Sequence, residues 1–203
     1  MSNTKEKIGK EIFSFPLHAN AEAKQVYVIP NALSLHEINY LNSFVIKEEI
    51  EEGLGKHKQK IDMRNNVGIV WLRNEVDYGW IYTKLAGLVR KANTTNFNLA
   101  LTHMETLQYT MYNDVSESYY GQHIDQLVEF NKPTKRKLSF SIQLTPPDTY
   151  EGGTLEIYNG TDFVSPRNVG DMILFESHVL HEVTKVTKGT RHSLVGWVHG
   201  PNL

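Results

Sequence analysis

The sequence contains no cysteine. Disulfide staples, zinc–thiolate sites and thiol nucleophiles are therefore excluded. It also lacks any run of about eighteen apolar residues of the kind a membrane helix needs, and the opening MSNTKEKIGKEIF has no apolar core of a secretory leader. The expectation is a soluble, cytoplasmic protein with no membrane partner, in which the sequons at Asn93 and Asn159 carry no glycan. Neither sign of charge is in marked excess. A net charge of −2 and a pI near 6.5 give no reason to expect nucleic acid, because polyanion binders carry a basic excess. Internal repeats and low-complexity tracts are absent. The 203 residues are enough for one sizeable core and marginal for two.

Local patterning divides the chain into two textures. Ser34 followed by Glu37 makes a capping box, after which Ile38, Leu41, Phe44 and Val45 fall at helical spacing. A second helix is expected from about Asp77, burying Ile81, Leu85, Leu88 and Val89 and stopping around Asn93. Between them the charged stretch Glu48–Asn66 shows no clean period, which suits a surface loop or a lid over a site. From Phe97 onward the period becomes two. KLSFSIQLT alternates Leu138, Phe140, Ile142 and Leu144 against Ser139, Ser141, Gln143 and Thr145. GTLEIY, DMILFE, HEVTKV and RHSLVGWVH read as further short strands between turn signals. Such a pattern indicates a β-sandwich or closed barrel, a jelly roll for example, buttressed by the N-terminal helices. The polar face of KLSFSIQLT holds small uncharged groups rather than Lys and Glu, as the lining of a ligand cavity would.

The chemistry starts at YYGQHIDQ, where His123 and Asp125 stand two positions apart and would share one face of a strand. Alone, that pair reads more readily as a partly exposed edge-strand histidine beside a solvated aspartate. His181 follows in FESHVLHEVTKV and Arg191 ten positions later in GTRHSLVGWV. Two neutral imidazoles and one carboxylate on one face of an octahedral Fe(II) leave adjacent positions for a chelating 2-oxo acid and dioxygen. The far carboxylate of 2-oxoglutarate then calls for a permanent cation, and arginine offers a planar bidentate fork. His178, three residues before His181, stays open as an alternative ligand.

The words LQYTMYN, YYGQHIDQ, KLSFSIQLTPPDTYEGGTLEIY, GDMILF and LHEVTKVTKGTRHSLVGWVHGP run in that order from about Leu107 to Pro201. This segment resembles the iron(II)- and 2-oxoglutarate-dependent dioxygenase superfamily, and within it the prolyl-4-hydroxylase-like branch, bacterial hydroxylases associated with iron uptake included. YVIPNALSLHEINYL is similar to the entry strand and helix of that branch. The resemblance implies a mainly β chain with flanking helices (α+β), a double-stranded β-helix or jelly-roll core. Residues 1–203 would form a single domain, with 1–98 as helical and strand support and 99–203 as the catalytic core.

By the same resemblance His123, Asp125 and His181 are the iron ligands and Arg191 the partner of the distal carboxylate of 2-oxoglutarate. Tyr112 supports the co-substrate. Gln143 faces the site where relatives often carry tyrosine, a departure that leaves a side-chain amide for that contact. Tyr120, Arg136 and Trp197 fall at substrate-facing positions, although Trp197 reads equally as a core aromatic and the tyrosines as ordinary strand residues. The implied cofactors are Fe(II), 2-oxoglutarate, O2 and ascorbate. The implied reaction is hydroxylation of a C–H bond with release of succinate and CO2. The expected partner is a proline-containing peptide or protein, with Lys132–Lys137 and Glu48–Asn66 as walls of its groove. The same chemistry on a free amino acid, small metabolite or nucleic-acid base stays open, as does a non-enzymatic module that senses metal or 2-oxoglutarate. A carboxylate at Asp125 argues against halogenating variants, which need that coordination place for halide.

Overall fold

Helix α1, Leu35–Val45, begins where its cap dictates. The Ser34 hydroxyl accepts the Glu37 amide at 3.3 Å, and the Glu37 carboxylate accepts the Ser34 amide at 2.8 Å. Two of the amides a helix start leaves unpaired are thereby satisfied. The expected stripe follows, with Ile38, Leu41 and Val45 buried and Phe44 half-buried. Helix α2, Gly79–Ala92, buries Ile81, Leu85, Val89 and Ala92. It runs on into one π-helical turn, Asn93–Phe97, that ends at Asn98 with φ 52°, a left-handed position asparagine tolerates. Lys84 of α2 donates to Glu37 of α1, so the helices are also linked by an ion pair. The computed structural model describes residues 26–46, 51–52, 64–65, 67–126, 132–158, 160 and 162–202. The N-terminal MSNTKEKIGKEIF, Asn159 and most of the Glu48–Asn66 stretch, with the lid expected there, lie outside the described residues.

Fourteen strands are numbered in chain order: β1 Val26–Ile29, β2 Glu51–Glu52, β3 Arg64–Asn65, β4 Gly68–Leu72, β5 Leu107–Asn113, β6 Tyr119–His123, β7 Thr134–Gln143, β8 Glu151–Gly152, β9 Leu155–Tyr158, β10 Asp162–Val164, β11 Met172–Glu176, β12 Leu180–Val183, β13 Val186–Lys188 and β14 Thr190–Pro201. A seven-stranded sheet has the order β1-β11-β7-β14-β5-β4-β2, and a five-stranded sheet the order β10-β9-β12-β6-β3. Their ladders are antiparallel. Strands from before residue 99 thus enter both sheets. The architecture is mostly β with two helices, a double-stranded β-helix.

One expected strand divides. HEVTKV is β12 as far as Val183, but Val186 begins β13, which pairs with β8 instead of the five-stranded sheet. The break sits at Thr184, whose backbone amide donates to Thr154 O and whose hydroxyl accepts the Thr154 amide, each at 2.9 Å. That pair of bonds turns the chain out of the ladder.

The period of two in β7 and β14 sorts side chains between two spaces. Leu138, Phe140, Ile142 and Leu194 join Ile38, Leu41, Ile81 and Leu85 in a core between the large sheet and the helices. Each fully buried side chain of this kind contributes roughly 1.5–3 kcal/mol. Gly196 completes that layer by lacking a side chain, since a Cβ there would lie 2.2 Å from Phe140 Cζ. One residue out of step, Gln143 pairs with Ser193, Ser141 with Val195, Ser139 with Trp197 and Tyr112 with Arg191. Directly paired residues share a face, so these line the space between the two sheets. Val26, Ile69, Ile157, Ile173, Phe175 and Val186 fill the rest of it. Among the described residues no helix is long and apolar enough to cross a membrane.

Candidate metal centre

His123 is the last residue of β6, and His181, on β12, is its cross-strand partner. Asp125 corrects one expectation. It does not share a strand face with His123, because β6 has already ended; it sits in the following bend. The Ser177 carbonyl takes both main-chain amides of that bend, Asp125 at 3.0 Å and Gln126 at 2.8 Å. Ser177 is fully buried, and its hydroxyl is 2.9 Å from that of Ser139 on β7. The carboxylate is therefore positioned from the large sheet, not by alternation along its own strand.

The two imidazoles are oriented alike. Nδ1 of His123 donates to the Gly121 carbonyl at 2.7 Å, and Nδ1 of His181 to the Val179 carbonyl at 2.9 Å. In that tautomer both Nε2 lone pairs are directed inward. They meet Asp125, with His123 Nε2 3.7 Å from Oδ1 and His181 Nε2 3.4 Å from Oδ2. All three donor atoms lie within 4.8 Å of one another, and all three residues are buried. Lone pair thus faces lone pair, an arrangement that needs a cation in between. A metal bound about 2.1 Å from each donor asks for separations of roughly 3 Å, somewhat less than the 3.4 and 3.7 Å from the carboxylate to the two imidazoles. Burial pushes the His123 pKa down to about 4, and the neighbouring His181 adds to the shift. Burial alone would raise Asp125, but the adjoining His181, and after it His123, hold it well below the usual carboxylate range. A neutral imidazole and an ionised carboxylate are what a metal ligand set requires.

Aromatic rings fix these groups. Tyr120 stacks on His123 with centroids 3.6 Å apart and planes 14° apart, while Phe175 meets His181 edge-on at 4.6 Å. Trp197 bears on Asp125 and helps depress its pKa, although its indole N–H falls short of a full hydrogen bond. The Arg136 guanidinium lies 4.0 Å from the centre of the Trp197 ring and makes a bidentate pair with Glu105, at 2.6 and 2.7 Å.

Arg191 is the largest fully buried side chain among the described residues. Its Nη1 donates to Ser193 Oγ at 3.2 Å, whereas Nε and Nη2 have no partner. The ring of Tyr112 lies 5.4 Å from the guanidinium carbon. On the adjacent strand Gln143 Oε1 is also buried without a partner. An unpaired buried cation costs several kcal/mol, and two free N–H groups in one plane match the geometry of a carboxylate. Gly153, the second of the paired glycines Gly152 and Gly153 that open the β8–β9 turn, has its reason here. A Cβ on Gly153, at φ 59°, would lie 2.9 Å from Arg191 Cδ and 2.8 Å from Val186 Cγ2.

The residues fit Fe(II) at one end of this space and a dicarboxylate at the other. The structure brings His123, Asp125 and His181 together with Tyr120 and Trp197, and sets Arg191, Tyr112 and Gln143 on paired strands of the same interior face. Arg136 adjoins through Trp197. His178 stays outside, its side chain about half exposed and 3.4 Å from Glu176. Sequence reading missed Ser177 and Glu105, and placed Arg64 only within the Glu48–Asn66 groove wall; its guanidinium lies 4.7 Å from the centre of the Tyr120 ring. No periodicity or motif flags any of the three.

Residues 107–199 match the model of the 2OG-Fe(II) oxygenase superfamily. A PKHD-type hydroxylase of Gloeothece citriformis is 29% identical over 178 residues, covering 85% of this chain and 77% of that protein. A PKHD-type hydroxylase of Idiomarina loihiensis is 38% identical over 81 residues, 39% of this chain and 36% of that one. The chain therefore spans most of the first relative but only about a third of the second. Among solved structures, a prolyl-4-hydroxylase of Pseudomonas putida superposes with a TM-score of 0.70 at 18% identity, covering 90% of this chain and 96% of its own. A Trichoplax adhaerens prolyl hydroxylase, in complex with a hypoxia inducible factor oxygen degradation domain peptide fragment, gives 0.69 at 17%, covering 98% and 94%. At such identities these structures speak for the fold alone.

Proposed function

We propose that this chain, which belongs to the 2OG-Fe(II) oxygenase superfamily, is a hydroxylase of prolyl residues in a peptide or protein. One observation carries the reading: two inward-facing imidazole lone pairs and a carboxylate converge on one point, in the same interior space as a buried arginine with two unpaired N–H groups. His123, Asp125 and His181 would hold Fe(II), and Arg191 the distal carboxylate of 2-oxoglutarate. When bound, iron and 2-oxoglutarate supply the oxidation of a C–H bond by O2, with succinate and CO2 as by-products and ascorbate as an accessory reductant.

The protein's own residues orient and enclose. The Gly121 and Val179 carbonyls fix the imidazole tautomers. Ser193, itself 2.6 Å from Thr110 Oγ1, aims the Arg191 fork. Tyr112 backs that guanidinium, and the Gln143 amide offers its free oxygen to a donor on the ligand side. Phe175, Ile173 and Ile157 exclude water from the inner side, which strengthens each polar contact there. Tyr120, Trp197 and Arg136 border the ligand set and would meet the substrate. The prolyl choice is supported by relatives named as PKHD-type and prolyl hydroxylases, and the peptide choice by the peptide complex of the Trichoplax neighbour. We take residues 1–203 as one such domain, working in the cytoplasm, where a reducing milieu keeps iron ferrous.

Incubation with Fe(II), 2-oxoglutarate, ascorbate and a pool of proline-containing peptides tests the proposal. Succinate release should rise with peptide, and one oxygen should be gained on a proline. Succinate release that responds only to free metabolites would overturn the prolyl reading.

A further inference from the structure

Arg64 is separated by a long stretch of sequence from the other residues of the site, yet β3 pairs it directly with Tyr120. Its guanidinium lies on the Tyr120 ring, which in turn stacks on His123. Its Nε is buried and has no hydrogen-bond partner, and no carboxylate among the described residues pairs with it. Stacking on an aromatic ring stabilises a guanidinium and fixes its plane, but leaves its charge unanswered.

The contrast with Arg136 is informative. That residue also lies on an aromatic ring beside the ligand set, but both oxygens of Glu105 neutralise it. Charges of the loaded site otherwise cancel. Fe(II) and Arg191 together carry +3, while Asp125 and 2-oxoglutarate carry −3. Among the described residues no carboxylate answers the charge of Arg64 beside Tyr120.

Resting on the hydroxylase reading above, we infer that Arg64 anchors an acidic group of the peptide substrate, an Asp or Glu side chain close in sequence to the hydroxylated residue. A fork held flat by Tyr120 takes a carboxylate bidentately, and the Tyr120 ring standing between it and His123 makes it a selector of substrate rather than a participant in the oxidation.

A library of peptides with random residues around a central proline, selected on manganese-loaded protein in the presence of 2-oxoglutarate, tests this by binding alone. Asp and Glu near the proline should be enriched about tenfold, an effect that weakens with salt. Arg64→Gln should erase the enrichment, Arg64→Lys should keep part of it, and Arg64→Glu should shift selection to Lys and Arg. That last gain cannot arise from misfolding. No acidic enrichment in the native protein, or the same enrichment in Arg64→Gln, overturns the inference. Exposing the selected peptides to the iron-loaded enzyme separates the two readings. Acid-selected peptides that gain no oxygen on proline refute the prolyl substrate and leave Arg64 as the anchor, whereas hydroxylation of proline without acid preference does the reverse.

Discussion

Along β14, Leu194 and Val198 lie in the core beneath the helices, whereas Arg191, Ser193 and Trp197, one residue out of step, line the space between the sheets. β7 repeats the division, with Leu138, Phe140 and Ile142 on one side and Ser139, Ser141 and Gln143 on the other. Both faces are equally buried, so burial does not separate them. Polar satisfaction does. The helix-covered face holds apolar side chains that need only each other, while the inner face holds buried polar atoms, several still without partners. Such atoms persist because something absent from the chain completes them. One strand thus carries stability on its even residues and recognition on its odd ones.

If this division is right, the largest effect on function comes from the inner face with little effect on the fold. His181→Ala should remove iron binding and lower turnover at least about a thousandfold, roughly 4 kcal/mol of barrier, with thermal unfolding moved by only a few degrees. Manganese titration followed by magnetic resonance reads the first, and a melting curve the second. Turnover within tenfold of the native protein would break the ligand assignment.

The outer face should behave in the opposite way. Phe140→Ala removes a fully buried ring that Gly196 accommodates on the neighbouring strand. It should cost about 3–5 kcal/mol in urea unfolding and leave the 2-oxoglutarate requirement of the folded fraction within about twofold. A tenfold rise would show that the two faces are coupled. Arg191→Lys sharpens the comparison from the inner side. A point charge replaces a fork, so the 2-oxoglutarate requirement should rise about tenfold, roughly 1.4 kcal/mol, with unfolding changed by less than about 1 kcal/mol. An unchanged requirement would move the carboxylate partner elsewhere.

The same division separates the features that are legible in the sequence from those that are not. Helix α1 and its cap depend on neighbours three and four residues apart, and the sorting of β7 on a period of two; both are local and can be read along the chain. The break in HEVTKV depends on Thr154, and the placement of Asp125 on Ser177. These partners lie far along the chain. His178 and His181 sit in the same short segment, and only the pairing of β12 with β6 puts His181 opposite His123. Glu105 and Arg64 lie in stretches without period, and each draws its role from long-range contacts, Glu105 with Arg136 and His199 and Arg64 with Tyr120. The chain order of histidine, aspartate, histidine and arginine is readable because its residue types are rare together; the charges that tune its mouth are not.

The smallest effect concerns what holds the cover in place. Glu37 caps α1 through Ser34 and accepts from Lys84 of α2. The Lys84 and Ser34 hydrogen bonds hold its pKa down at about 2. A carboxyl depressed in the folded state contributes stability that is complete above its ordinary range and lost as the pH falls toward the folded value. Because the group is partly exposed, solvent and salt screen it, and Glu37→Gln should cost at most about 1 kcal/mol at pH 7. That cost should shrink as the pH falls from about 5 toward 2, which urea midpoints of both proteins would follow. Manganese binding by the two proteins should stay equal at neutral pH, since Glu37 lies on the helix side of the large sheet. A variant that lost metal affinity along with its cap would mean that the helices set the geometry of the inner face, and the separation of stability from recognition along each strand would fail.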